Sequence, residues 1–278
     1  MSRISGLTKR RPLTAFFVLA YALSWWAWIL YALGLFPNPI ASFGPFLAAI
    51  VVLALTEGKS GLLGLFRRML RWRVAPGWYL VALLLPTVLT ATAAALNILL
   101  GAQPSAAQLG AWPELVPTFL LLLLVPGFGG AWEEPGWRGY ALPRLQGRRS
   151  ALVASLILAG FIAFWHLPLM VAGQVHYSDL LLILAAVIVV NWVFNNARGS
   201  VLIIMLLHAA NNTISGSFFS PMFSGADSTR QSWLLVLVWA IAAVLVIAIA
   251  GPTNLSRKYQ RQQEPLPAPE PDSVSRGV

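Results

Sequence analysis

Cysteine is absent from the 278 residues. That excludes disulfides, thiol nucleophiles and cysteine metal sites together. Acids are scarce as well: nine Asp and Glu stand against nineteen Lys and Arg. Charged residues make up only 10% of the chain, where a soluble globular chain carries about 25%. No HExxH occurs, so the common zinc-protease helix is missing. Asp179 and Asp227 fall in expected loops, which leaves no aspartyl pair within an apolar segment. Gly199-Ser200 lacks the strand-to-helix setting of a nucleophile elbow. No internal repeat is visible, which counts against a transporter built from inverted halves.

What the chain has in abundance is apolar sequence. It is 58% hydrophobic with a mean hydropathy of +0.73. This composition predicts an all-α polytopic membrane bundle of about eight transmembrane helices, with the length read as one bundle rather than two soluble domains. The expected spans are 13–35, 40–56, 78–100, 117–146, 150–172, 180–194, 200–214 and 233–250. The first is too long for a signal-peptide core and no small-residue cleavage site follows, so it is expected to be retained. Lys59 to Arg73 alternates apolar residues with arginines, and Leu62, Leu63, Leu65, Phe66, Met69 and Leu70 can share one face of an interfacial helix. The bundle, 13–250, is flanked by a basic arm over 1–12 and a proline-marked disordered tail over 251–278.

The net charge of +10 raises the question of nucleic acid. Its placement answers otherwise, because Lys and Arg sit in the gaps between apolar runs, as orientation signals do. With eight spans, 18 of the 19 basic residues fall on the side of the termini and Arg230 alone on the other. The expectation is a multi-pass protein of the cytoplasmic membrane with both termini cytoplasmic.

Against that background one stretch stands out: Ala131-Trp132-Glu133-Glu134-Pro135-Gly136-Trp137-Arg138-Gly139-Tyr140. The other seven acids lie in expected loops, helix ends or the tail, whereas Glu133 and Glu134 follow a long apolar run. Charge at membrane depth is costly and is a functional hypothesis by default. The plain structural reading is a helix end whose carboxylates reach interfacial water. Pro135 removes a backbone donor, so a kink or break is expected beside the acids. Two more polar positions follow on later spans: His166, and the i,i+4 pair His208 and Asn212. A single membrane histidine is more often a packing residue than a catalyst. At about 1.5 Å per residue, however, Glu133, His166, His208 and Asn212 lie roughly 20, 24, 15 and 21 Å from the basic turns of their own spans. Three helices thus bring Glu, His, His and Asn to a similar depth. Asn191 and Asn195, also i,i+4, are assigned interhelical hydrogen bonding.

These pieces resemble the intramembrane glutamate proteases of the CAAX-protease and bacteriocin-processing (CPBP, or Abi) family, which include the type II CAAX prenyl proteases. The matching residues are Glu133-Glu134-x-x-x-Arg138 continuing through Gly139-Tyr140-Ala141-Leu142-Pro143-Arg144-Leu145, then Trp165-His166-Leu167-Pro168, then His208-x-x-x-Asn212 after Arg198-Gly199-Ser200. Order and intervals agree over about 115–215. Ile162 stands where that family often has an aromatic. Prenylated C-terminal peptides are implied as substrates only by some members.

The residues themselves suggest a division of labour. A carboxylate shielded from bulk water holds a proton more firmly, which suits a general base, and a neighbouring cation opposes that. Arg138 is four residues after Glu134 and on a helix would pair with it rather than with Glu133. Glu133 is then the water-activating carboxylate, with His166 sharing the water. His208 and Asn212 donate to the oxyanion, while Glu134 and Arg138 support them. The resemblance implies the same roles. The expected partners are membrane lipid and a peptide or protein substrate, possibly lipidated, with the site reachable from the cytoplasmic side and no cofactor, since Asn212 and Glu134 fit an oxyanion and ion-pair scheme. A zinc site from Glu133, His166 and His208 is the rival chemistry. A non-catalytic immunity or scaffold protein, and a transporter, are the rival classes.

Overall fold

The computed structural model describes residues 8–256. The start of the expected basic arm, up to residue 7, and the expected tail from 257 onward lie outside the described residues. The chain is an all-α bundle. Five of its helices are long and apolar enough to cross a membrane, and three shorter apolar helices accompany them. In order, α1 is Pro12–Ala32, α2 Gly44–Thr56, α3 Gly58–Met69, α4 Gly77–Leu99 and α5 Leu115–Leu124. A composite helix α6 follows, built from Gly130–Glu133, Glu134–Gly136, Trp137–Ala141 and Leu142–Gln146. Then come α7 Ala151–Trp165, α8 Asp179–Asn196, α9 Val201–Asn211 and α10 Gly225–Ala250.

The helices close a circuit. α1 packs on α2, α2 on the Glu134–Gly136 turn of α6, and α9 on the Gly130–Glu133 turn. α9 also packs on α4, α4 on α10, α10 on α8, α8 on α7, and α7 back on α1. The outer faces stay apolar. Leu80, Leu84 and Val88 on α4, and Leu237, Ile241 and Val244 on α10, are exposed in rows three or four residues apart. Such rows suit lipid, where water would penalise them.

The two ends differ in charge. At one end Arg71 donates to the Arg198 carbonyl, Arg68 to the Gly139 carbonyl, and Arg144 pairs with Glu57. The loops after α3 and α8 therefore meet there, beside the C-terminal part of α6. The backbone of Thr253 joins this end through the amide of Ala151. At the other end Ser105 bonds Met222, and Arg230 bonds Asp227 and Asn97.

Two expected details are corrected. The break beside the acids is not at Pro135. It falls earlier, over 125–129, where Gly127 takes φ +95°, a conformation that L side chains rarely adopt. Pro135 occupies the first turn of a helical segment, where its missing N–H costs nothing, so it starts a helix instead of breaking one. The span expected to run through His166 stops at Trp165, and a short helix, Leu167–Val171, continues with Pro168 in its first turn. As expected, the apolar residues of α3 share one side of the helix, with Leu65 and Met69 buried against the bundle and Leu63, Phe66 and Leu70 exposed beside them.

Breaks in the hydrogen-bond ladder need partners when water is excluded, and they have them here. Ser42 donates to the Gly129 carbonyl at 3.1 Å and Trp132 Nε1 to the Leu123 carbonyl at 3.0 Å, across the α5–α6 break. At the end of α7, Tyr21 donates to the Phe161 carbonyl and Trp25 Nε1 to the Trp165 carbonyl, both at 2.9 Å.

Candidate functional site

Both glutamates are buried, at 6% and 1% exposure for Glu133 and Glu134. Their partners differ. Arg138, the i,i+4 neighbour of Glu134, places Nη1 at 3.0 and 2.9 Å from the two oxygens of that carboxylate. His208 Nδ1 lies 2.6 Å from Glu134 Oε1 and, facing an acceptor, carries its proton there. Glu133 has one hydrogen bond among the described residues, from Trp137 Nε1 to Oε2 at 3.3 Å. The spacing argument thus placed Arg138 on the correct glutamate. It missed that His208 would join the same carboxylate.

The wall behind Glu133 is aromatic. Trp137 is fully buried and meets Phe16 and Trp165 edge-on, with ring centroids 5.6 and 5.5 Å apart. An indole that spends its one polar atom on a carboxylate and its rings on neighbours is rigid, so the carboxylate it touches is held in a water-poor setting.

His166 sits where α7 ends. Its Nδ1 is 2.9 Å from the Ile162 carbonyl, which can only accept, so Nδ1 carries the proton and Nε2 presents a lone pair. His166 is therefore a helix cap and a candidate base or water ligand at once. It interacts electrostatically with His208, and His208 in turn with Glu133, Glu134 and Arg138. Gly130 lies against the other edge of the His208 ring: a Cβ built there would overlap the imidazole. Only glycine leaves that edge room.

Asn212 follows one turn after His208, where the α-helix gives way to a π-helical run over Asn212–Phe219. Among the described residues no hydrogen bond joins Asn212 to Glu133, His166 or His208. Its nearest side-chain partner is Asn211, at 3.5 Å. Such π-turns break the regular ladder and recur at functional sites. Among the described residues no three His, Asp or Glu side chains converge as metal ligands. The residues named for zinc come from three separate elements, and Glu134 holds the Nδ1 side of His208.

Glu133, Glu134, Arg138, His166, His208 and Asn212 all lie within 112–214, the segment that matches a family model described as type II CAAX prenyl endopeptidase Rce1-like. The chain is also 32% identical over 107 residues to a protein named CAAX prenyl protease 2 from Methanococcus maripaludis. That match covers 34% of this chain and 38% of the relative, so it spans well under half of either protein. Around the matched segment, α1 to α4 and α10 supply walls and closure. Phe16 on α1 and Pro45 on α2 press directly on α6.

Three contributors to the site carry no distinguishing signal in the sequence. Trp137 falls inside the acidic stretch and Gly130 among the glycines expected to interrupt the fourth span, and nothing local separates them from ordinary packing residues. Asn191 was given interhelical hydrogen bonding, which is what it does, but its partner is Arg138 itself: Nε donates to Asn191 Oδ1 at 3.1 Å.

Proposed function

We propose that the chain is an intramembrane endopeptidase that hydrolyses a peptide bond with water activated by Glu133, near the cytoplasmic side of the membrane. The observation that carries this reading is the unequal treatment of two adjacent buried carboxylates. Glu134 is saturated by Arg138 and His208, while Glu133 keeps one weak partner and so retains a lone pair for a water proton. The match of the core to a prenyl endopeptidase family supports the same reaction class.

The chemistry then runs as follows. Glu133 takes a proton from a water shared with the Nε2 lone pair of His166, and the hydroxide attacks the scissile carbonyl carbon. The tetrahedral oxyanion accepts hydrogen bonds from His208 Nε2–H and the Asn212 amide. For Nε2 to donate, both ring nitrogens of His208 must carry protons, and Glu134 is the acceptor that faces the other one. Glu133 passes its proton to the amine nitrogen as the C–N bond breaks. In this scheme no resident metal is needed.

The reading places Arg138 and Glu134 in support of His208, not in contact with substrate. The basic end of the bundle, with Arg71, Arg144 and Arg198, faces the cytoplasm in this proposal by the positive-inside rule. The relative's name makes prenylated C-terminal peptides the first substrates to try, alongside unmodified membrane peptides. The test compares the termini of membrane proteins in cells carrying active protein or Glu133→Gln. New termini that vanish with Glu133→Gln support the protease, and identical termini in both defeat it in favour of a scaffold.

A further inference from the structure

Behind the ion pair lies a line of hydrogen bonds whose every direction is fixed. Ser155 on α7 donates its hydroxyl proton to the Ala151 carbonyl at 2.7 Å, since a carbonyl cannot donate. The Ser155 oxygen is then an acceptor towards Asn191, whose Nδ2 lies 2.9 Å away. That fixes the amide: Nδ2 faces Ser155, so Oδ1 faces Arg138 and accepts from Nε at 3.1 Å. With Nε committed, the guanidinium plane is set and Nη1 meets both oxygens of Glu134. Glu134 Oε1 receives the proton of His208 Nδ1. Four helices contribute in turn, α7, α8, α6 and α9. Ser155 and Asn191 are both fully buried, so no water competes for their atoms.

We propose that Asn191, held by Ser155, is a positioning residue that acts through Arg138 and Glu134 to fix the orientation of the His208 imidazole. A guanidinium with three free donor directions can meet a carboxylate in several ways. Tying Nε to an amide that cannot flip leaves one. The carboxylate, held through both oxygens by Nη1, presents Oε1 to His208 in one direction, and the ring can turn neither away from Glu134 nor toward Gly130, where space is limited. An asparagine serving only as glue between α6 and α8 would have no reason to have its own rotamer locked by a third helix. The kinetic consequence rests on the protease reading; the geometric one does not.

The test uses the full-length protein in detergent with 15N-labelled histidine. The chain has three histidines, so His176→Gln and His166→Gln variants assign the His208 signals. In the parent, the Nδ1 proton of His208 is expected far downfield and slow to exchange, as befits its bond to Glu134. In Asn191→Leu that resonance should move upfield or disappear into exchange. With a cleavable peptide, kcat should fall about ten- to hundredfold, the range for a misplaced group near the reacting atoms, while KM holds. Ser155→Ala removes one oxygen and should give the same changes in weaker form. Added to Asn191→Leu it should do nothing further, because both act along one line. An unchanged His208 resonance in folded Asn191→Leu overturns the proposal. Should that variant fail to fold, an unchanged resonance in Ser155→Ala overturns it instead. A shifted resonance in a protein that cleaves no peptide upholds the positioning role and defeats the protease reading alone.

Discussion

The molecule contains the same clasp twice. Near the middle, Glu134, Arg138 and Asn191 are joined with the arginine Nε on the asparagine oxygen and Nη1 on the carboxylate. At the far end, Asp227, Arg230 and Asn97 repeat the plan, with Nε on Asn97 Oδ1 at 2.6 Å and Nη2 on Asp227 Oδ1 at 2.7 Å. Their settings differ. The Arg230 and Asp227 side chains are 36% and 31% exposed, against 5% and 1% for Arg138 and Glu134. The far clasp also closes on backbone: Asn97 donates to the Asp227 carbonyl, and Asp227 accepts from the Gln103 amide. The central clasp instead hands its carboxylate to His208, one residue away from a second buried carboxylate. Composition alone does not make a site. What separates the proposed site from a fastener is burial, together with a titratable group attached where the fastener would otherwise end.

This contrast can be broken or sharpened by substitution. The largest effect is expected from Glu134→Gln, which leaves the buried Arg138 charge without its counter-ion. Breaking a buried pair from one side costs about 3–5 kcal/mol, read as lost stability in detergent and accompanied by loss of turnover. A stability change no larger than that of a surface variant would dissolve the distinction between the clasps. Next is Gly130→Ala, whose added methyl meets the His208 ring. Overpacking of this kind costs about 1–3 kcal/mol, and the displaced imidazole should reduce cleavage more than it reduces stability. Asp227→Asn should cost at most about 1 kcal/mol, as exposed ion pairs do, and leave the cleavage rate at the parent value; a large loss of activity would show that the far clasp belongs to the machinery. The smallest effect is expected from chelation. Zinc content should be below stoichiometric and the single-turnover rate unchanged, whereas inactivation reversed by added zinc would favour a metal centre on Glu133, His166 and His208.

Much of this was legible in the sequence. Apolar runs and the scarcity of acids gave an all-α membrane bundle, and the i,i+4 spacing of Glu134 and Arg138 gave their pairing. The two helix breaks were placed less well, and for one reason. Pro135 suggested an interruption and the span 150–172 read straight through Pro168, yet each proline sits in a first turn, where proline is at home; Gly127 and the side chains of Ser42, Trp132 and Trp25 accompany the points where the ladder opens. Those side chains come from distant segments, and no local pattern announces them. The same holds for Asn191 and Ser155, separated by 36 positions from each other. Helical periodicity can place a residue on a face, but only the packing of α7 against α8 determines which partner that face meets.

The central claim is that two neighbouring glutamates divide the work, Glu133 for chemistry and Glu134 for structure. The most direct measurement is single-turnover cleavage of a membrane peptide by Glu133→Gln, with thermal stability recorded on the same sample. Glutamine keeps the shape and an acceptor for Trp137 but cannot take a proton from water. The account predicts near-complete loss of cleavage with stability close to the parent's. A folded Glu133→Gln protein that cleaves at the parental rate would contradict it.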